Sequence, residues 1–373
     1  MKIIIAPNAF KGSLTQQQAI QAIELGILDV TQNVTLIKIP VADGGDGLLN
    51  ALESPLKANT ISTQVKGALG NTIKTNFLYI SNQQQAILEL AQCCGLAQLK
   101  PADYNPLKTS TYGLGELIIK AIEEGAKNIT IGIGGSSTND GGMGMATALG
   151  IKFFNKHQRL LKGNGSNLLE VHSIDTAGAN PLLKNINFNI ISDVNNPLLG
   201  ETGCAKVYAA QKGANEEMIQ QLECGMTNFA NRIEKELHIN IKTIEGGGAA
   251  GGLGAGLIAF LNAKLLPGSE TVLTLLAFDK KLKTADLVFT GEGKLDLQTT
   301  HGKIPAIIAE KAQQAQVPCI AIAGSITDNR EHKYSATYSL KSDETSLAES
   351  MKNAFALLRK KTAIAMTNFL AND

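Results

Sequence analysis

Apolar residues along the chain follow two alternating rhythms. Short β-rich runs at 2–6, 34–39, 129–133, 188–192, 287–290 and 318–323 are separated by longer stretches of helical period. That is the pattern of parallel strands joined by crossover helices. Residues 15–30 carry Ala19, Ile20, Ala22, Ile23, Gly26 and Ile27 on one face, with Ser13 or Thr15 available as a cap, so the start of the chain reads as a complete βαβ unit. Residues 65–99 differ. Gly67, Gly70 and Asn71 punctuate the alternating Ile73, Thr75 and Phe77, which predicts an antiparallel ribbon and a change of domain.

After Leu282 the α/β rhythm resumes with a strand, a helix at about 303–315, a strand and a final amphipathic helix at about 346–370. Lys352, Arg359, Lys360 and Lys361 on that last helix predict packing on a core rather than a bilayer span. The predicted organisation is one α/β domain built from both chain ends, 1–65 with 283–373, interrupted by a mixed α/β domain at 66–282. The cleft between two such domains is the expected ligand site.

Composition narrows the function classes. The chain has 373 residues, enough for two ordinary cores, and its 34 Lys+Arg nearly cancel its 33 Asp+Glu. No global field favours a nucleic-acid backbone or an anionic membrane, so neither is an expected partner. The apolar run at the start is too short for a secretory segment, and no stretch reaches the ~18 apolar residues of a spanning helix; a cytoplasmic protein is expected. Cys93, Cys94, Cys204, Cys224 and Cys319 are odd in number and lack metal or redox spacing, which predicts reduced, mostly buried thiols.

Five predicted strands run directly into segments rich in Gly, Asp, Asn, Ser or Lys: 7–13, 43–47, 134–142, 193–197 and 291–296. In parallel sheets ligands bind at the carboxyl ends of strands. Exposed backbone amides there hold an anion while carboxylates supply oxygen ligands for a hard cation, a combination that points to phosphate with Mg²⁺. In 134–142, Gly134, Gly135 and Gly141 allow close backbone approach and Ser136, Ser137 and Thr138 add hydroxyls, before a helix that opens near Asp140. A helix cap needs fewer such residues, so the phosphate reading is preferred.

Asp193 at a strand end reads as base or metal ligand, with an Asx turn through Asn195 and Asn196 as the alternative. Lys11 and Lys294 suit a carboxylate or phosphate as point charges. Residues 298–303, with Thr299, precede a helix containing Pro305 and face another anion-friendly terminus. His157, His172, His238, His301 and His332 show no metal-ligand spacing and read as structural or solvated.

No G-x-x-x-x-G-K-[ST] is present, which removes a Walker loop. Gly246, Gly248 and Gly251 satisfy G-x-G-x-x-G after the strand-like 239–244, with Glu270 downstream, so a nicotinamide oxidoreductase of a small hydroxy acid is the alternative. The acid precedes the next apolar run instead of ending it, and close helix packing explains the glycines as well. A bilobal small-anion-binding protein would share the cleft but needs an export signal.

Taken together, the segments 6–13, 40–47, 132–142, 192–198 and 290–296 resemble the type I glycerate kinases across almost the whole chain. The resemblance implies ATP-dependent phosphorylation of D-glycerate with Mg²⁺, 2-phosphoglycerate being the usual product of bacterial members. It also implies a Rossmann-like or flavodoxin-like domain interrupted by a second α/β domain. Lys294 stands where the family commonly has Arg. On physical grounds Lys11, Ser13 and Asn8 are expected to hold glycerate, and Asp193 to accept or orient its hydroxyl proton. Asp43, Asp46 and Asp296 are expected at Mg²⁺, residues 134–138 with Gly141 and Thr299 at the phosphates, and Lys294 at the developing charge.

Overall fold

The computed structural model describes residues 1–10, 12–41, 47–295, 304–327, 333–341 and 346–372. The chain divides into two compact units, one formed by Met1–Asp43 with Ser269–Asp373 and the other by Gly44–Gly268.

The first unit holds a sheet of β1 (Lys2–Ile5), β2 (Thr35–Lys38), β11 (Leu287–Leu295), β12 (Cys319–Ile326) and β13 (Ala336–Ser339), all parallel, in the order β13-β12-β11-β1-β2. Counted along this unit alone the order is 2-1-3-4-5, that of flavodoxin-like sheets. The sheet's switch point therefore lies between β1 and β11. Thr15 caps the helix Gln16–Leu28 through a capping box with Gln18, and the face Ala19, Ile20, Ala22, Ile23, Gly26 and Ile27 is buried as its period requires. The C-terminal segment is broken at Asn353 into helices Leu347–Lys352 and Ala354–Asn372, where a single helix was expected. Its Leu358, Ala365 and Met366 pack in one cluster with Ile23 and Ile27.

The second unit holds β3 (Asn59–Lys66), β4 (Thr72–Ile80), β5 (Gln85–Glu89), β6 (Asn128–Gly132), β9 (Asn187–Ile191) and β10 (Lys264–Leu266) in the order β10-β9-β6-β5-β4-β3. β5, β6, β9 and β10 are mutually parallel, whereas β3 and β4 form the expected antiparallel ribbon. A small hairpin of β7 (Lys152–Phe154) and β8 (Ser173–Asp175) lies apart from both sheets. The division near residue 43 precedes the expected 65/66 because β3 pairs with β4 along its whole length. The second division falls at 268/269 rather than 282/283.

Four of the five cysteines are buried, and all five are free. Among the described residues no helix is long and apolar enough to cross a membrane.

The contact between helices Gln16–Leu28 and Ala354–Asn372 depends on Gly26, where a Cβ would strike the Arg359 carbonyl and lie 2.6 Å from Thr362 Cβ. Alanine at a helix interior gains about 1 kcal/mol of propensity over glycine, but overpacking against a backbone atom costs about 1–3 kcal/mol. Gly26→Ala is therefore expected to lower the urea midpoint of unfolding; a raised midpoint would show that the two helices separate freely.

Candidate functional site

In the first unit the switch point brings two of the predicted segments side by side. Ala6 and Asn8 donate backbone N–H bonds to Phe289 and Gly291 carbonyls, both 2.8 Å, and Thr290 Oγ1 donates to the Ala6 carbonyl. Asn8 Oδ1 accepts from the Ala9 N–H. The Ser13 hydroxyl donates to the Phe10 carbonyl at 3.0 Å, closing the turn that Phe10 and Leu14 bridge. Ser13 thus shapes the loop through its own hydroxyl.

Lys294 requires a correction. It was expected beyond a strand ending at Thr290, but β11 runs on to Leu295, with Lys294 in register with Ser325 and exposed. Gly291 was read as the first residue past the strand, yet it lies within β11 paired with Ile322, whose carbonyl a Cβ there would strike. Glu292, beside it, is buried.

In the second unit four parallel strands end on one edge, with Glu89, Gly132, Ile191 and Leu266 aligned across it. The residues just past that row are the 134–142 segment, Asp193 and Gly268. Asp193 is exposed and its Oδ1 accepts the Gly268 N–H at 2.8 Å; the Val194 N–H goes to Ser192 Oγ. Glu89 is a buried carboxylate that accepts the N–H groups of Gly47 (3.0 Å) and Leu49 (3.1 Å), and so fixes the start of the helix Leu48–Leu56. Composition hid this residue, although an acid ending the apolar run at 85–89 is a legible signal.

The 134–142 segment divides into an exposed part and a buried part. Gly135 is exposed with φ +68°, and Gly134 is half-buried. The residues after them turn inward: Ser137, Thr138, Asn139 and Asp140 are all at most 1% exposed. Ser137 directs both its N–H and its hydroxyl to the Cys94 carbonyl, and Thr109 Oγ1 donates to the Ser137 carbonyl. The Thr138 hydroxyl and both ends of the Asn139 amide are buried without a partner. The hydroxyls expected to face phosphate are thus structural at Ser137 and internal at Thr138; what faces outward is the Gly134–Gly135 backbone.

Asp140 anchors this inward turn. Its carboxylate accepts from Thr111 N–H (2.8 Å), Thr111 Oγ1 (2.9 Å), Gly142 N–H (3.1 Å) and Gly144 N–H (3.2 Å). Burial nevertheless holds its pKa above the usual carboxylate value, against the pull of those donors. Lys212, from a short turn at Ala210–Lys212, inserts its ammonium beneath the segment, 2.8 Å from Ser136 Oγ and 2.7 Å from the Thr138 carbonyl. Burial pulls its pKa down to about 8, while Cys204 and Asp140 act the other way. Sequence offered no signal for Lys212, which is 74 positions from Thr138.

The G-x-G-x-x-G run has a packing role. No strand lies between β9 and β10 among the described residues, so the run does not follow a strand as a dinucleotide fingerprint must. At Gly251 a Cβ would strike the Thr138 carbonyl, and at Gly256 the Gly141 carbonyl, so the segment Ala249–Leu261, kinked at the left-handed residues 250–252, approaches the buried turn backbone-to-backbone at these glycines.

Lys11, Asp43, Asp46, Asp296 and Thr299, with His301 and His332, lie outside the described residues. Among the described residues no group of three or more His, Cys, Asp or Glu is placed to hold a metal ion.

A flavodoxin-like parallel sheet in one unit and a mixed sheet in the other, the latter with Gly134–Gly135 and Asp193 just past its parallel strands, make this an α/β protein. Comparison narrows this further. The glycerate kinase family model matches residues 3–370, and the chain belongs to that family. It is 43% identical over 362 residues to a glycerate kinase of Halalkalibacterium halodurans, covering 96% of this chain and 95% of that one. It is 38% identical over 359 residues to the glycerate 2-kinase of Escherichia coli, covering 95% and 94%. A crystal structure from Salmonella typhimurium, described as a glycerate kinase 2, superposes with a TM-score of 0.87 at 38% identity, covering 100% of this chain and 99% of that one.

Thr111→Val tests the anchor. It removes a hydroxyl that donates to buried Asp140 and accepts from Met145 N–H at 2.9 Å, leaving both partners short in a dry site. A loss of about 2–4 kcal/mol in unfolding free energy is expected by urea titration. A change below about 0.5 kcal/mol would mean that water or a shifted backbone replaces both bonds.

Proposed function

We propose that the protein is an ATP-dependent glycerate kinase that transfers the γ-phosphoryl group of ATP to a hydroxyl of D-glycerate, with the 2-hydroxyl favoured. The observation that carries this reading is family membership across 3–370 with relatives matched over nearly their full lengths, one of them a glycerate 2-kinase. In the reaction the substrate oxygen forms a bond to the γ-phosphorus, the bond from that phosphorus to the β,γ-bridging oxygen breaks, ADP leaves, and the hydroxyl proton must be accepted. Catalysis of this kind is positioning and charge stabilisation more than covalent chemistry.

The residues suit those demands as follows. Lys11, Ser13 and Asn8 bind the glycerate carboxylate and hydroxyl oxygens. Asp193, oriented by the Gly268 N–H, accepts or orients the hydroxyl proton. The Gly134–Gly135 backbone and Thr299 take the phosphates, with Gly141 shaping the turn behind them, and Lys294 offsets developing charge. Asp43, Asp46 and Asp296 offer carboxylate oxygens, the donor type Mg²⁺ prefers, and would hold the ion that accompanies ATP. When bound, that ion neutralises phosphate charge.

Phosphorus NMR of the full chain incubated with Mg-ATP and D-glycerate is expected to show 2-phosphoglycerate, and excess EDTA is expected to abolish turnover. Appearance of 3-phosphoglycerate alone would revise the position, and undiminished turnover in EDTA would remove the metal.

Asp193→Asn retains an Oδ1 acceptor for Gly268 while removing the charge. Turnover should fall on the order of a hundredfold with glycerate KM nearly unchanged. Recovery at raised Mg²⁺ would assign Asp193 to the metal instead, and near-normal turnover at ordinary Mg²⁺ would limit it to holding Gly268.

A further inference from the structure

We infer that Lys212 is a positioning residue for nucleotide binding: its buried ammonium holds Ser136 and Thr138 from beneath and thereby sets the exposed Gly134–Gly135 turn that receives the phosphates. The inference rests on the kinase reading above and adds a residue to it that touches no substrate itself.

Lys212 is 2% exposed, and its two hydrogen bonds go to neutral groups, a hydroxyl and a carbonyl. Among the described residues no carboxylate stands within ion-pair distance of it. The charged or titratable groups acting on it are Asp140, engaged by four donors of its own, and Cys204, whose thiol burial pushes up to about 12. A buried ammonium without a counterion is expensive, and an apolar side chain of the same length would fill the space more cheaply. Two further losses sit in the same turn, the unpartnered Thr138 hydroxyl and Asn139 amide. A turn serving only to connect β6 to the next helix has no use for such costs.

The ammonium has a definite target in the turn. Gly135 is otherwise tied by its carbonyl to the Leu96 N–H at 2.8 Å, and Ser137 by two bonds to the Cys94 carbonyl. Ser136, between them, has its hydroxyl fixed by Lys212. The backbone of Ser136 is bridged to Gly95, and the lysine adds the bond that holds its side chain. It also leaves a positive charge under a pair of glycines whose exposed backbone suits an anion.

The test compares Lys212→Met, Ser136→Ala and the double variant in the full chain, with KM for Mg-ATP and for D-glycerate measured separately. Lys212→Met is expected to raise the ATP KM about tenfold or more while the glycerate KM stays within about twofold. Ser136→Ala is expected to raise the ATP KM several-fold, and the double variant to be no worse than Lys212→Met, because both act through one bond. An unchanged ATP KM, an equal rise in both KM values, or additive losses in the double variant would overturn the inference. If Lys212→Met does not fold, Ser136→Ala decides alone: a selective rise in ATP KM supports the inference and none overturns it. Failure of the wild-type chain to consume ATP with D-glycerate would instead defeat the functional reading.

Discussion

A polar turn that must be buried is the constraint on which the second unit depends. Residues 136–140 leave the end of β6 and pass through an apolar interior, so their amides, carbonyls and the Asp140 carboxylate lose water and need protein partners. Those partners come from far along the chain: Cys94, Thr109, Thr111 and Lys212 each bond to it, and Gly251 accepts from the adjoining Gly141 N–H. The glycine-rich segment Ala249–Leu261 then approaches the turn with no side chains between the backbones at Gly251 and Gly256. Moving any one of these elements strands a buried donor or acceptor, so their arrangement is fixed by the turn as much as by apolar packing.

This arrangement gives the second unit a rigid edge. β5, β6, β9 and β10 end in register, and their last residues lead to Glu89's carboxylate, the Gly134–Gly135 turn, Asp193 and Gly268. The first unit reaches a comparable result by another route: its strand order places a switch point between β1 and β11, where the two chain segments bond to each other before diverging. In the second unit the candidate residues Gly134, Gly135 and Asp193 lie just past strand ends, because a parallel sheet sends each chain out of the same edge.

The rhythm of apolar residues was enough to locate β1, β2, β6, β9, β12 and the helix after β1, since periodicity and burial are the same fact seen twice. It misjudged β11, because a glycine inside a strand looks like a terminus until the carbonyl of the neighbouring strand is seen against it. Within the turn after β6, the composition rich in Ser and Thr was legible and its orientation was not. Hydroxyls that satisfy a buried backbone and hydroxyls that face a ligand are the same letters, and only burial separates them. Lys212 and the Thr111–Asp140 pair were illegible for a simpler reason: their partners are distant in sequence, and nothing in the local pattern of a Lys or a Thr reports what it meets.

Glycerate has little apolar surface, so its recognition cannot draw on the hydrophobic term that usually dominates small-molecule affinity. Charge-assisted hydrogen bonds from groups already held in place must supply it, and such groups are stable only when something else orients them before the ligand arrives. The buried clusters on both sheets provide that surplus of stability, with Phe77, Leu88, Leu114 and Ile131 among the second unit's core and Ile3, Ile5, Phe10 and Phe289 among the first unit's. A buried lysine, an unpartnered asparagine and a carboxylate taken out of water are costs that a well-packed scaffold offsets. Their concentration in one turn is what separates this edge of the sheet from an ordinary strand-to-helix connection.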